Sequence, residues 1–223
     1  MQVSATPATA RPVQIPSGDA VLNGDLAIPD LARGLVVFVH GSGSSRHSTR
    51  NRAVAHALQH DAFATLLLDL LTESEERADA VTAEFRFDIE LLGRRVSDAV
   101  AWARADGRTA AMPIGLFGAS TGAAAALIAA AGRPDDVQAV VSRGGRPDLA
   151  GFALARVSAP VLLAVGELDD IVIELNRQAL TRLPGPAQID IIPGATHLFE
   201  EPGTLDEVVR LALAFFERHL TTR

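Results

Sequence analysis

Short apolar runs alternate with longer amphipathic stretches along most of the chain. Leu35–Val39 and Ala64–Leu68 are apolar at nearly every position, which is typical of strands covered on both faces of a sheet. Between such runs, apolar residues recur at helical spacing, most clearly from about Phe87 to Ala105 and from Thr204 to Leu220. The alternation predicts the α/β class, with a mostly parallel sheet of about eight strands and helices on both faces.

Near the N-terminus, Val13–Ile15 and Ala20–Ile28 flank a turn-rich break and predict an antiparallel hairpin at one edge of the sheet. The stretch from Thr72 to Phe87 is charged and is predicted to be a loop, and residues 143–159 leave no room for a cap domain. The other predicted strands are Met112–Phe117, Val137–Ser142, Pro160–Val165 and Gln188–Ile192, and the other predicted helices are Ser48–His60, Ala123–Ala131 and Ile173–Leu183.

The composition is that of one globular domain. Of the 223 residues, 48% are hydrophobic, which suffices for one core, and the chain is short for two full domains. We predict a single domain over residues 1–223, with residues 1–12 as a flexible N-terminal segment. That segment has no signal-peptide core, and no apolar run approaches the roughly 20 residues of a membrane span. The sequence therefore predicts a soluble, cytoplasmic protein.

Charge and residue usage narrow the partners and the chemistry. The net charge of −7 and the scattered arginines argue against nucleic-acid or membrane partners and favour a small-molecule substrate, while the oligomeric state stays open. The chain has no cysteine and no lysine, which excludes thiolate nucleophiles, disulfides, Schiff bases and Ser-Lys dyads. No cofactor or metal site is indicated, so covalent catalysis has to use Ser, Thr, Asp, Glu or His.

A sharp turn at Gly118–Gly122 lies between a predicted strand and a predicted helix. Its central residue, Ser120, has glycine two positions away on each side, the G-x-S-x-G pattern of a nucleophile elbow. The alternative is an ordinary strand-to-helix turn with a serine cap. The flanking strand and helix favour the elbow, with Ser120 as a nucleophile above the sheet edge.

A serine nucleophile needs a base and an acid that orients the base. Asp169 and His197 follow the last two predicted strands, so the chain order is serine, acid, histidine, and parallel strands bring their carboxyl ends to one edge. Asp170 competes for the acid role, and either aspartate could instead cap the following helix. The alternative for His197 is a loop histidine that caps the final helix. We predict Ser120, His197 and Asp169 as the catalytic triad.

Two backbone N–H groups are predicted to form an oxyanion hole. Thr121 follows the nucleophile at the start of a helix, and Ser42 lies in the loop His40–Gly43 after the strand at 35–39. The alternative is an ordinary glycine- and serine-rich loop. We expect His40 to be structural.

Arg143 and Arg146 follow another strand end on the same rim and are the leading candidates for cations near the serine. One interpretation is that they pair with nearby acids such as Asp148 and hold the loop. The other is that at least one of them grips a substrate carboxylate, for which the guanidinium fork is well shaped.

Taken together, the motifs His40–Gly43, Gly118–Gly122, Gly166–Asp170 and Gly194–Phe199 resemble the α/β-hydrolase superfamily, specifically its dienelactone-hydrolase-like branch. The resemblance begins at about Gly18 and implies an eight-stranded sheet, a Ser or Cys nucleophile and hydrolysis of esters or lactones. True dienelactone hydrolases carry cysteine where this chain has Ser120. The resemblance therefore supports a general carboxylesterase with an open site, roofed at most by the segment between Thr72 and Phe87.

The sequence thus predicts a cofactor-free serine hydrolase that cleaves a small carboxylic ester or lactone through an acyl-enzyme. An acyltransferase or perhydrolase would use the same triad, with another nucleophile in place of water. A non-catalytic binding module on a hydrolase fold is the alternative from a different class, although such modules usually lose a triad member.

Overall fold

The computed structural model describes residues 8–220. Eight strands form one sheet in the order β1-β2-β4-β3-β5-β6-β7-β8. The strands are β1 (Arg11–Ser17), β2 (Ala20–Ala27), β3 (Leu35–Val39), β4 (Ala64–Leu68), β5 (Ile114–Ala119), β6 (Val137–Arg143), β7 (Val161–Gly166) and β8 (Ala187–Ile192). The helices are α1 (Thr49–His60), α2 (Glu73–Thr82), α3 (Ile89–Ala105), α4 (Thr121–Gly132), α5 (Asp170–Leu180) and α6 (Thr204–His219).

The predicted edge hairpin is confirmed. β1 pairs antiparallel with β2, β2 pairs antiparallel with β4, and all the remaining pairings of the sheet are parallel. Arg11 and Pro12 correct the predicted flexible segment, because they are the first residues of β1 and pair with Leu26 and Asp25. Proline is tolerated there because an edge strand does not need every N–H for the ladder. Of the rest of that predicted segment, residues 8–10 belong to no helix or strand, and residues 1–7 lie outside the described residues.

The sheet is buried on both faces. Along β3, Leu35, Val37 and Val39 belong to one apolar cluster and Val36 and Phe38 to another, since successive side chains of a strand point to opposite faces. The first cluster includes the apolar sides of α3 and α4, and the second includes those of α1 and α6. This two-sided burial explains why the central strands are apolar at consecutive positions.

The segment from Thr72 to Phe87 is not the predicted loop, because residues 73–82 form α2. Most of the side chains of α2 are exposed, so the segment lacks the apolar stripe that identifies a packed helix. Its start is fixed by a capping box, in which Thr72 Oγ1 accepts the Glu75 N–H and the Glu75 carboxylate accepts the Thr72 N–H. Buried Arg95 of α3 holds Glu75 with contacts of 2.6 and 2.8 Å.

The carboxyl ends of β3, β5, β6, β7 and β8 open on one edge, as expected for parallel strands. After β6 the chain forms only a 3₁₀ segment, Pro147–Arg156, which is kinked at Gly151, so no cap domain covers this edge. Among residues 8–220, no helix combines the length and the apolarity needed to cross a membrane.

Candidate active site

Ser120 joins β5 to α4 in a conformation that non-glycine residues rarely adopt, with φ 51° and ψ −125°. The end of β6 and the segment that follows it hold Ser120 in this conformation, through its N–H and through its carbonyl. The Ser120 N–H donates to the Arg143 carbonyl at 3.2 Å, and the Arg146 N–H donates to the Ser120 carbonyl at 3.0 Å. Strain of this kind persists only where the surroundings determine the backbone, and it is common at functional sites.

Glycine is required on both sides of Ser120 because the turn leaves no room for a side chain. A Cβ at Gly118 would lie 2.5 Å from the Ala123 Cα, and a Cβ at Gly122 would lie 2.4 Å from the carbonyl oxygens of Val39 and His40. A Cβ at Gly118 would push α4 away from β5, and one at Gly122 would push it away from the end of β3. The predicted elbow therefore exists as a strand–turn–helix in the structure.

Asp169 and His197 meet at this edge of the sheet, with 2.6 Å between Asp169 Oδ2 and His197 Nδ1. Asp169 precedes α5, but its side chain makes no capping hydrogen bond, so its carboxylate is directed to the histidine. Asp170 is exposed. His197 lies well before α6, which begins after Gly203 without a side-chain cap. The sequence also left open that Asp170 is the acid and that His197 caps the final helix. The structure shows neither arrangement.

Ser120 and His197 line one pocket of about 170 Å³. The His197 side chain is 39% exposed, so the pocket is open to solvent at the histidine. Gly41 and Ser42 line the same pocket. A Cβ at Gly41 would lie 3.0 Å from the Ser120 Cβ, which shows how closely this loop approaches the serine.

The Ser42 N–H, one of the two predicted oxyanion donors, is already engaged. It donates to the Thr121 hydroxyl at 2.9 Å, and the two side-chain hydroxyls are also 2.9 Å apart. The Ser42 hydroxyl in turn donates to the carbonyl of Arg86 at 3.2 Å. The other predicted donor, the Thr121 N–H, stands at the first residue of α4, where the helix dipole favours negative charge.

His40 is buried, with 5% of its surface exposed, and both ring nitrogens have partners. Its Nε2 accepts the Leu70 N–H at 3.0 Å, which places the ring proton on Nδ1, 2.9 Å from the Gly41 carbonyl. Burial lowers the pKa of His40 because the charged form would lose its hydration. The neutral ring thus connects the loop at 40–43 to the end of β4. With both nitrogens occupied, it is not available as a base.

Arg143, the last residue of β6, and Arg146, just after it, differ sharply in their partners. Arg146 forms a two-pronged ion pair with Asp148, at 2.8 and 2.7 Å. Arg143 lines the pocket beside Ser120, and within residues 8–220 its side chain makes one long hydrogen bond, 3.4 Å from its Nη2 to Asn51 Oδ1. Burial and the neighbouring charge of Arg50 lower its pKa to about 10, so it keeps its charge at neutral pH.

A second cavity, of about 600 Å³, shares lining residues of the loop at 41–48 with the first. Glu76, Asp79 and Ala80 of α2 also line it. Asp79 accepts the Arg86 guanidinium and the N–H groups of Phe85 and Arg86, which fixes the turn after α2. The predicted roof is therefore a helix, and the sequence signal that reveals it is the Thr72–Glu75 capping box.

Known proteins share this architecture. Residues 22–215 match the model of the dienelactone hydrolase family. The chain is 51% identical to the crystal structure of a dienelactone hydrolase from Anabaena variabilis, with a TM-score of 0.93 over 97% of this chain and 99% of that one. At 17% identity it shares the fold of Est1E from Butyrivibrio proteoclasticus, with a TM-score of 0.77 over 93% and 98% of the two chains.

Two relatives from Mycobacterium tuberculosis strains, provisionally named phosphoribosyl transferases, are each 55% identical over 208 residues. The match covers 93% of this chain and 46% of each relative, so the chain spans about half of their length. The family match and the near-complete overlap with the Anabaena enzyme agree with the eight-stranded sheet described above. The chain belongs to the dienelactone hydrolase family and has its α/β-hydrolase fold.

Proposed function

We propose that this protein is a serine hydrolase that cleaves a small carboxylic ester or lactone through an acyl-enzyme. The observation that carries the proposal is the 2.6 Å contact between Asp169 and His197 in a site where His197 and the strained Ser120 line one pocket. A serine hydroxyl is a weak nucleophile until a neighbouring base removes its proton. The site provides such a base, together with an anion that orients it.

In the proposed mechanism, the Nδ1–H of His197 donates a hydrogen bond to Asp169, which leaves Nε2 as the nitrogen that accepts the Ser120 proton. Ser120 Oγ attacks the ester carbonyl, and His197 then protonates the departing alcohol. A water molecule, deprotonated by His197, then attacks the acyl carbon. The bond from Ser120 Oγ to that carbon breaks, the acid leaves, and His197 returns the proton to Ser120. The negatively charged Asp169 stabilises the imidazolium that forms in each step.

The carbonyl oxygen becomes negatively charged during each attack and needs N–H donors. The Thr121 N–H at the start of α4 and the Ser42 N–H are the proposed donors. Since the Ser42 N–H is bonded to the Thr121 hydroxyl, the substrate oxygen has to replace that hydroxyl as the acceptor. The exchange trades one hydrogen bond for another to a charged oxygen, which is the stronger of the two.

Labelling with a fluorophosphonate probe and a screen of p-nitrophenyl esters of graded acyl length test the proposal. We expect the parent to be labelled and to hydrolyse short esters, and Ser120→Ala to lose labelling and about 10⁶ in rate, as in other serine triads. Ser74→Ala, at an exposed position of α2, is the matched control and should behave like the parent. Unlabelled but folded parent protein would favour a non-catalytic binding module, and activity of Ser120→Ala within tenfold of the parent would exclude Ser120 as the nucleophile.

Acyl transfer to a nucleophile other than water is a second candidate, because the uncapped edge and the partly exposed His197 leave the acyl-enzyme open to other molecules. Product partition with and without an added alcohol or hydrogen peroxide distinguishes the two. Transfer products that exceed the hydrolysis product at low acceptor concentration would identify an acyltransferase or a perhydrolase.

The name of the Mycobacterium tuberculosis relatives does not change the proposal. It describes proteins of which the matched region is less than half, 46% of their length. The residues gathered at the sheet edge of this chain are those of acyl chemistry, and we assign it no phosphoribosyl transfer.

A further inference from the structure

Asn176 is a fully buried amide in the middle of α5, the helix whose N-cap is the proposed triad acid Asp169. Its Nδ2 donates to the Gly145 carbonyl at 2.9 Å and to the Val172 carbonyl at 2.7 Å. Because carbonyl oxygens only accept hydrogen bonds, these two partners set the orientation of the amide. Its Oδ1 has no partner within residues 8–220. Asparagine is a poor helix former, and a half-bonded buried amide costs free energy, so the stability of α5 does not explain this residue.

The Gly145 carbonyl belongs to residues 143–146, the segment that holds the strained backbone of Ser120. The Ser120 N–H donates to the Arg143 carbonyl and the Ser120 carbonyl accepts the Arg146 N–H, at 3.2 and 3.0 Å. Gly145 lies between these two contacts in the chain and is buried. A Cβ at Gly145 would lie 2.6 Å from the Cβ of Ala123, so the segment also packs closely against α4. The position of Gly145 thus bears directly on the position of Ser120.

The same segment contacts the histidine and the strand that leads to the acid. Gly144 has φ 51°, and a Cβ there would lie 3.1 Å from the carbonyl oxygen of His197 and 3.7 Å from its ring Cε1. The Gly144 N–H donates to the Ala164 carbonyl of β7 at 2.8 Å, and β7 ends shortly before Asp169. Residues 143–146 therefore meet the elements that carry all three members of the proposed triad, and Asn176 is the side chain of α5 that holds this segment.

We propose that Asn176 is a positioning residue of the active site, which fixes residues 143–146 through the Gly145 carbonyl and thereby places Ser120 relative to the helix that carries Asp169. The inference rests on the proposed hydrolase function, and Asn176 acts only through this segment, since it does not line the pocket of Ser120. Without its amide, the buried Gly145 carbonyl loses its donor, and the segment rearranges to find another. Ser120 then moves relative to His197, and a shift of about 1 Å at a reacting group can cost about 10² in rate.

Asn176→Leu tests the proposal, because leucine has a similar volume and is a better helix former but donates no hydrogen bond. Gln59→Leu is the matched control. Gln59 is also a buried amide on a helix, and its Nε2 donates to Thr65 Oγ1 at 2.7 Å, near the amino end of β4, whereas the site lies at the carboxyl ends of the strands. Both substitutions remove a buried hydrogen bond, so both should lower the urea midpoint of unfolding. Only Asn176→Leu should change the active site.

Activity is measured as kcat and KM on a short p-nitrophenyl ester, together with the rate and the final extent of fluorophosphonate labelling. We expect Asn176→Leu to lower kcat and the labelling rate by about tenfold or more, with KM within about twofold of the parent. Its final extent of labelling should equal that of the parent, because partial unfolding lowers the extent whereas a misplaced serine lowers the rate. Gln59→Leu should keep both rates within about twofold of the parent. Equal rates in Asn176→Leu and Gln59→Leu would overturn the proposal and leave Asn176 with a structural role.

Amide hydrogen exchange measures the positioning without catalysis and separates this inference from the proposed function. The N–H groups of Ser120 and Arg146 form the two bonds that hold the turn, and their exchange should be about tenfold faster in Asn176→Leu than in Gln59→Leu. This difference, with a parent that hydrolyses no ester, would support the positioning and refute the hydrolase. An active parent with equal exchange and equal kcat in the two variants would do the reverse. If Asn176→Leu fails to fold, Asn176→Ser carries both measurements, since its shorter side chain fits the same space and lacks the Nδ2 donor.

Discussion

On one side of Ser120, Asp169 and His197 are already joined at 2.6 Å, whereas on the other side the Ser42 N–H is bonded to the Thr121 hydroxyl. The difference follows from what each side binds in the absence of substrate. The acid and the base are partners of each other at every stage, so the folded chain brings them together. An oxyanion donor has its partner only during the reaction, and a poorly hydrated N–H without substrate finds an internal acceptor instead.

The same contrast separates two buried side chains of the site, His40 and Arg143. His40 has a partner for each ring nitrogen and is held neutral, whereas the charged Arg143 side chain has one long hydrogen bond, to Asn51, among the described residues. A buried polar group whose bonds are complete fixes the shape of a site. A buried polar group whose bonds are incomplete is a candidate for binding a ligand. In a relative with the same fold, such groups are the first candidates for substrate recognition.

The largest loss of activity is expected from breaking the contact between Asp169 and His197, which is formed without substrate. Asp169→Asn removes the anion that orients His197, and we expect kcat to fall by about 10³ or more, with a small change in KM. Asp170→Asn, one residue away and exposed, is the matched control and should stay near the parent. Steady-state kinetics on a short p-nitrophenyl ester measures both. A larger loss in Asp170→Asn would reverse the assignment of the two acids.

Freeing the Ser42 N–H from the Thr121 hydroxyl should have a smaller effect on kcat, and this effect should be an increase. Thr121→Val keeps the shape of the side chain but removes the hydroxyl that accepts the Ser42 N–H, and we expect kcat to rise by up to about tenfold, the worth of one hydrogen bond. Thr121→Ser keeps a hydroxyl and should resemble the parent. A fall of about 10² in Thr121→Val would show instead that the hydroxyl itself stabilises the oxyanion.

Removing His40 tests its structural role through pH. Because the folded pKa lies below the ordinary value of about 6.5, the unfolded chain takes up a proton first as the pH falls, and folded stability is lost. The stability that neutral His40 provides is present above about pH 6.5 and decreases below it. In His40→Gln this contribution is absent, so its stability should change less between about pH 7.5 and about pH 5.

Urea unfolding of both proteins at the two ends of this range measures the difference, which amounts to about 1.4 kcal/mol for each unit by which the pKa of His40 is lowered. All other titratable groups are common to parent and variant, so they cancel in the comparison of slopes. Equal changes of stability in the two proteins would show that His40 does not contribute to the pH dependence.

The elements with strong local signals were predictable. The central strands β3 and β4 agree with the predicted ranges residue for residue, since their consecutive apolar positions leave few alternatives. The position of Ser120 between a strand and a helix follows from glycine spacing and the flanking runs. α2 was missed, because a mostly exposed helix has no apolar stripe and only its capping box identifies its start.

By itself, therefore, the sequence determined the fold class, the elbow and the chain order of serine, acid and histidine, because periodicity and turn chemistry act over a few neighbouring residues. Only the tertiary structure decided that Asp169 rather than Asp170 faces His197, that the Thr121 hydroxyl occupies the Ser42 N–H, and that Asp148 pairs with Arg146 while Arg143 forms no ion pair within residues 8–220. No sequence pattern placed Arg50 and Asn51 in the pocket of Ser120. Asn51 contacts Arg143, which is 92 positions away, and such contacts depend on how β6 and α1 pack around the sheet edge.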